Sequence, residues 1–232
     1  MKVKKKNVLM LLFILTQVMY SQEYNNRVYS YGIEEMSYFK YENVKIFATL
    51  EDISQAENKT PEQLAQSILS CSSREWDVKN TLGGVNNVSE KTKEEYSQIK
   101  SMDKKKNYFE LISKIEFEID KIPTAVLKMY FFSESFPNPQ AGIFVMQKYN
   151  DVWYKTSTKQ INNIALTILR LKPEILDAIM NNNYNIDYLQ KIKGNVTTDN
   201  ILDFNKLSIE LEKLSESDSS VFYKLKDEYS IL

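Results

Sequence analysis

The chain has 232 residues, 43% of them hydrophobic and 12% aromatic, with only five Gly, five Pro and one Cys and no His. That composition supports a packed core and excludes a disordered chain, an intramolecular disulfide, and any serine or cysteine triad or zinc helix that needs imidazole. Thirty basic residues stand against 31 acidic ones, so no basic footprint marks nucleic acid as a general partner.

Met1–Ser21 reads as a signal peptide. Lys2, Lys4, Lys5 and Lys6 form a basic start, and Val8 to Val18 is an apolar run too short to span a bilayer comfortably. No cysteine follows it, so lipid attachment at a cleavage-site Cys is not expected, nor a stable membrane span after cleavage. Losing its four Lys leaves 26 basic against 31 acidic residues, a net charge of −5. The expected localisation is therefore exported, either periplasmic or secreted. The rest divides into an α+β sheet domain, 22–158, and an all-helical C-terminal extension, 159–232.

Glu23 to Asp52 is rich in Tyr and Phe, with Val44–Leu50 the best extra strand. Tyr24, Tyr29, Tyr31, Tyr38 and Tyr41 form either an exposed aromatic surface or, more simply, half-buried strand positions. Thr60, Pro61 and Gln63 are a capping box with Pro at the first helical position, opening a helix whose stripe is Leu64, Ile68 and Cys71. Cys71 reads as a small core residue. Glu75–Leu82 is a second short helix ended by Gly83 and Gly84, and Ser89 caps a third, charged helix from Glu90 to Lys100.

The centre of the chain, Lys114 to Thr158, reads as four antiparallel strands. Ile115, Phe117 and Ile119 alternate with Glu116, Glu118 and Asp120, the pattern of one buried and one wet face. Thr124–Phe132 is apolar on both faces, which predicts a central strand covered on both sides. Gly142–Tyr149 and Val152–Thr156 follow, joined by a two-residue Asn150-Asp151 turn. A fifth or sixth strand would come from the aromatic stretch upstream. Glu116 and Glu118 read as a solvated face rather than a glycosidase pair.

This order of elements, a helix opened by Thr60-Pro-Glu-Gln-Leu64, a short helix around Trp76, a charged helix, and strands ending in Asn150-Asp-Val-Trp-Tyr-Lys155, resembles the nuclear-transport-factor-2-like superfamily with its cystatin-like cone fold. The likeness covers Thr60 to Ser157 and is nearest to small exported bacterial members. It implies a curved sheet wrapped on N-terminal helices around a conical pocket, which in such proteins binds a small ligand, hosts an isomerase or dehydratase, or is filled and serves assembly. No Asp of this chain matches a catalytic position of that family.

Beyond Thr158 the period becomes helical. Ile161, Ile164, Ala165, Ile168 and Leu169 share one stripe, Lys172-Pro173 interrupts it, and Ile175, Leu176, Ile179 and Met180 continue an apolar face to the Asn181–Asn183 turn. Ile186–Ile192 is a short helix stopped by Gly194. Asp199 caps another with the stripe Ile201, Phe204, Leu207, Leu211 and Leu214, Ser215–Ser220 is a polar break, and Val221–Leu232 is a last amphipathic segment. These helices either pack on the sheet or offer a surface to a partner.

Three functions compete. The first is a non-catalytic protein-interaction module of the cell envelope, with the C-terminal helices as its contact surface and an envelope or secreted protein as its partner. The second is a pocket for a small apolar or aromatic ligand walled by Trp76, Tyr130, Trp153 and Tyr154. The third is a carboxylate-dependent isomerase or hydratase-like enzyme. No catalytic residue, metal ligand set or cofactor motif is assigned.

Overall fold

A computed structural model describes residues 21–30, 33–88, 91–157, 159–198 and 201–217. The readings that rest on Met1–Tyr20, Tyr31, Ser89, Asp199 and Val221–Leu232 lie outside the described residues, and for Tyr24 and Tyr29 only the backbone is described.

The fold is α+β. Its strands are β1 (Ser21–Ser30), β2 (Ile33–Phe47), β3 (Tyr108–Ile119), β4 (Ile122–Phe132), β5 (Gln140–Tyr149), β6 (Val152–Lys155), β7 (Thr197–Thr198) and β8 (Ile201–Asp203). They form one sheet in the order β6-β5-β4-β3-β2-β1-β8-β7, antiparallel except where β8 runs parallel to β1. The helices are α1 (Pro61–Ser70), α2 (Arg74–Asn80), α3 (Lys93–Ser101), α4 (Lys159–Arg170), α5 (Pro173–Met180), α6 (Asp187–Val196) and α7 (Phe204–Ser217).

The four central strands stand where the alternation puts them, but the first of them and the strand upstream of it differ in extent from what it predicts. β2 runs from Ile33 and ends at Phe47, short of Leu50, and β3 begins at Tyr108 rather than Lys114. β4 is central, between β3 and β5. The Asn150-Asp151 link closes β5 and β6 with both residues left-handed, at φ 49° and 62°, as a two-residue hairpin requires.

Thr60 caps α1, its Oγ1 accepting from the Gln63 backbone at 3.2 Å, while Gln63 Oε1 reaches one residue further back to the Lys59 N–H at 2.8 Å. Thr92, with Glu95, makes the capping box of α3, which starts later than Glu90. α6 passes through Gly194 to Val196 and is not stopped there, because that glycine keeps right-handed helical backbone. Ile201 belongs to β8 and not to a helix, and Asp203 caps α7 through the N–H groups of Asn205 and Lys206, both at 3.0 Å. α7 also continues through Ser215 to Ser217. The C-terminal part is thus not all-helical, since β7 and β8 extend the sheet.

Helices cover both faces, and two bulges decide which half of each strand faces which layer. In β3, Leu111 pairs with Met129 but Ser113 pairs with Lys128, so Ile112 is an extra residue. Opposite it in β2, Tyr41, Glu42 and Asn43 intervene between Lys40, partner of Ser113, and Val44, partner of Leu111. Each bulge moves the following side chains to the other face. Ile46, Phe109 and Leu111 therefore pack with Leu127, Met129 and Trp153 against Leu64, Ala65 and Leu69 of α1. Ile33, Met36, Tyr38, Ile115, Phe117 and Ile119 instead join Val126 and the stripes of α4, α5 and α7. Ile161, Ile164, Ile168, Leu176, Leu207 and Leu211 are all at most 2% exposed, so the C-terminal stripes are spent on the sheet. At roughly 1.5–3 kcal/mol per fully buried large aliphatic chain, that layer is a major share of the fold's stabilisation.

Candidate functional site

Where β2, β3 and β4 run past the bulges, the face opposite α1 carries side chains that no helix buries completely. Phe47, Tyr108 and Phe132 are cross-strand neighbours on it and all are half-buried. Tyr108 and Phe132 stack at 4.7 Å between centroids with planes 6° apart, and Phe47 tilts onto Tyr108 at 5.4 Å. The stacking distance equals the spacing between strands, so the rings stand up from the sheet and cover each other's faces. What they present outward is a ridge of ring edges.

Charges frame the ridge. Lys45 Nζ lies 4.7 Å from the Tyr108 centroid and 3.9 Å from Glu110. Beside it, at the paired bulges, is a cavity of about 300 Å³ lined by Tyr38, Lys40, Tyr41, Glu42, Asn43, Glu110, Leu111, Ile112 and Pro173. Its wall on the helical side is tied to the sheet through Asp177 of α5. The carboxylate pairs with Lys40 Nζ at 3.1 Å, accepts from the Tyr38 hydroxyl at 3.4 Å and accepts from Asn181 Nδ2 at 3.0 Å.

Two polar clusters lie elsewhere. On the α1 face, Glu62 accepts from the Tyr41 hydroxyl and pairs with Lys114 Nζ at 2.8 Å, which also meets Glu116 at 3.0 Å and sits 4.5 Å over Phe39. Burial works to raise the Glu62 carboxyl, but Lys114 and Tyr41 outweigh it and hold the pKa below its ordinary value. Burial, then Glu62, pushes the Tyr41 phenol up. The second cluster centres on Asp77, whose side chain is 3% exposed and pairs with Lys155 at 3.1 Å and Lys91 at 3.3 Å. Those two lysines overcome burial and lower its pKa, while Cys71 is pushed up to about 11 by burial and then by Asp77. Cys71 is thus an inert core thiol at neutral pH. Asp52 and Glu210 are likewise lowered. A carboxyl held protonated for general acid work would need the opposite shift.

The four aromatic residues singled out in the sequence are not brought together. Trp76 is 2% exposed, packs with Cys71 and Tyr96, and donates through Nε1 to Ser67 Oγ at 2.8 Å. Trp153 lies in the core under α1, its backbone N–H bound to the Asn58 carbonyl at 2.7 Å. Tyr154, next along β6, points to the face opposite Trp153 and is a cross-strand partner of Gln147. Tyr130 alone reaches the candidate surface, paired with Glu110 across β3 and β4. Both tryptophans are buried under the helices of the first half, Trp153 at 7% exposed. The ridge lies outside the strand that the alternation predicts, which starts at Lys114, although Phe109 and Leu111 alternate upstream of it with Tyr108 and Glu110.

No protein-family model, curated protein or solved structure matches the chain. Function has to be read from the geometry above.

Proposed function

We propose that this chain is an exported, non-catalytic protein-interaction module whose contact surface is the ring-edge ridge Phe47–Tyr108–Phe132 with the bulge cavity beside it. The observation that carries the reading is the 4.7 Å stack of Tyr108 on Phe132. A sugar platform needs open ring faces, whereas a row of edges flanked by Lys45 and Glu110 suits an apolar segment of another protein with a polar rim. The cavity, at about 300 Å³, has room for one or two side chains of such a partner. Its lining of Lys40, Glu42, Asn43 and Glu110 favours a polar side chain over a free apolar ligand. Export is supported by the basic start and short apolar run before Ser21. The nuclear-transport-factor-2-like likeness stays a proposal supported by one capped helix laid across an antiparallel meander.

The test is photo-crosslinking in the producing cells, with benzoylphenylalanine placed at Tyr108 and, as a control, at Val85, which is 58% exposed on another part of the surface. A discrete adduct with a second protein from Tyr108 and none from Val85 is expected. Equal labelling from both, or none from Tyr108, would remove the reading.

A further inference from the structure

The polar groups that line the bulge cavity differ in whether the fold already uses them. Lys40 Nζ is met by Asp177 at 3.1 Å, the Tyr38 hydroxyl donates to the same carboxylate at 3.4 Å, and the Tyr41 hydroxyl donates to Glu62 on the α1 face. The two carboxylates of the lining are not used in this way. Lys45 Nζ is 3.9 Å from Glu110, beyond hydrogen-bond range, so the Glu110 oxygens keep their acceptor capacity. Among the described residues, exposed Glu42 has neither an ion pair nor a hydrogen bond. Glu42, Asn43 and Ile112 also stand outside the pairing of β2 with β3, and a bulge leaves backbone groups of its extra residues unpaired. The cavity is rich in acceptors.

Charge points the same way, since Lys40 and Lys45 stand against three carboxylates, Asp177, Glu42 and Glu110. We propose that the cavity takes an arginine side chain of the partner protein, and that an aromatic side chain two residues along the same extended segment meets the ridge. The inference rests on the reading of ridge and cavity as one contact surface, and it adds the chemistry of the partner. A lysine would answer the charge alone. The planar guanidinium fork, with several N–H donors in fixed directions, can also reach two carboxylates and the bulge carbonyls at once.

The spacing follows from β3. Tyr108 and Glu110 lie two residues apart on one strand face, roughly 6–7 Å, and alternate residues of an extended partner segment share a face at the same separation. Tyr108 stacks on Phe132 and is approached from the β2 side by Phe47 and Lys45, so its ring edge is what remains. The positive rim of an aromatic ring attracts the negative face of another. The partner motif is therefore Arg-x-aromatic or its reverse, with the order set by the direction in which the segment runs.

Short peptides test this on the free, full chain. The probes are acetyl-Ala-Arg-Ala-Phe-Ala-amide, the same peptide in reverse order, and twins of both with Glu in place of Arg. In proton–nitrogen correlation spectra one of the two Arg peptides should shift the amides of Asn43, Tyr108 and Glu110, and its Glu twin should bind about tenfold more weakly. Glu42→Lys, at an exposed position, should weaken the Arg peptide by about tenfold and strengthen the Glu twin. Glu110→Gln should also weaken the Arg peptide, which keeps the test decisive if Glu42→Lys disturbs the bulge. Equal binding of Arg and Glu peptides, shifts that miss these amides, no shift from either up to about 10 mM, or no effect of the two substitutions would overturn the arginine site. With the Tyr108 crosslink intact, any of those results leaves the ridge standing. The expected charge preference without a Tyr108 crosslink would instead overturn the contact surface and not the acceptor-rich cavity.

Discussion

At Asp77 a single carboxylate holds two lysines and accepts from the Tyr96 hydroxyl at 3.3 Å. It is 3% exposed, whereas Lys91 and Lys155 keep 33% and 29% of their side chains in water. Asp77→Asn keeps the volume and removes the charge. Because the lysines can turn outward, the expected loss at pH 7 is about 1–2 kcal/mol, less than for a wholly buried pair. The folded carboxyl has a lowered pKa, so its contribution is complete above the unfolded value near 3.9 and disappears as pH falls through the folded one. Urea melts of both proteins should differ at pH 7, and the gap should shrink progressively as pH falls below the unfolded value. A gap that persists in acid would mean that packing, not charge, is what the substitution disturbs.

At the scale of elements the paired bulges do most to shape the molecule. Asn43, exposed and at φ 56°, sits in the β2 bulge that lines the cavity. Asparagine tolerates left-handed backbone, glycine tolerates it better, and a β-branched residue does not. Asn43→Val should cost about 1–2 kcal/mol and Asn43→Gly close to nothing, read from thermal unfolding. Equal effects of the two would place the strain elsewhere.

The bulges also explain what was legible. The alternation of Ile115, Phe117 and Ile119, the two-faced apolarity of β4, the Thr60 cap and the Asn150-Asp151 hairpin are local signals, and the structure keeps each of them. An inserted residue leaves no such trace. Phe109, Leu111, Ile115, Phe117 and Ile119 all fall on odd numbers, yet Ile112 sends the first two to one core and the last three to the other. Short β8 was invisible for a different reason: Ile201 falls in step with the Phe204, Leu207 and Leu211 stripe, and only its parallel pairing beside β1 shows it to be strand. The two tryptophans are buried in the first helical layer; of the aromatic residues that the sequence singles out, Tyr130 lies beside the ridge and Tyr38 and Tyr41 line the cavity.

For the molecule as a whole, the boundary at 158/159 marks a change of period in the sequence but not a gap in the packing. Tyr38, Ile115, Phe117 and Val126 from the sheet share one core with Ile164, Ile168, Leu176 and Leu207, and Lys128 donates to the Ile168, Leu169 and Leu171 carbonyls of the second half. A chain ended at Ser157 would expose that apolar face and leave a lysine in the middle of it. Residues 22–157 should therefore fail to give a cooperative thermal transition, and residues 22–232 should melt in one step with near-UV circular dichroism and tryptophan fluorescence coincident. Both tryptophans lie in the other helical layer, so their signal reports whether that layer survives alone. Two separate transitions in the full chain, or a folded 22–157 fragment, would show that the layers are independent after all. Lost binding in such a fragment would then point to the C-terminal helices rather than to the ridge.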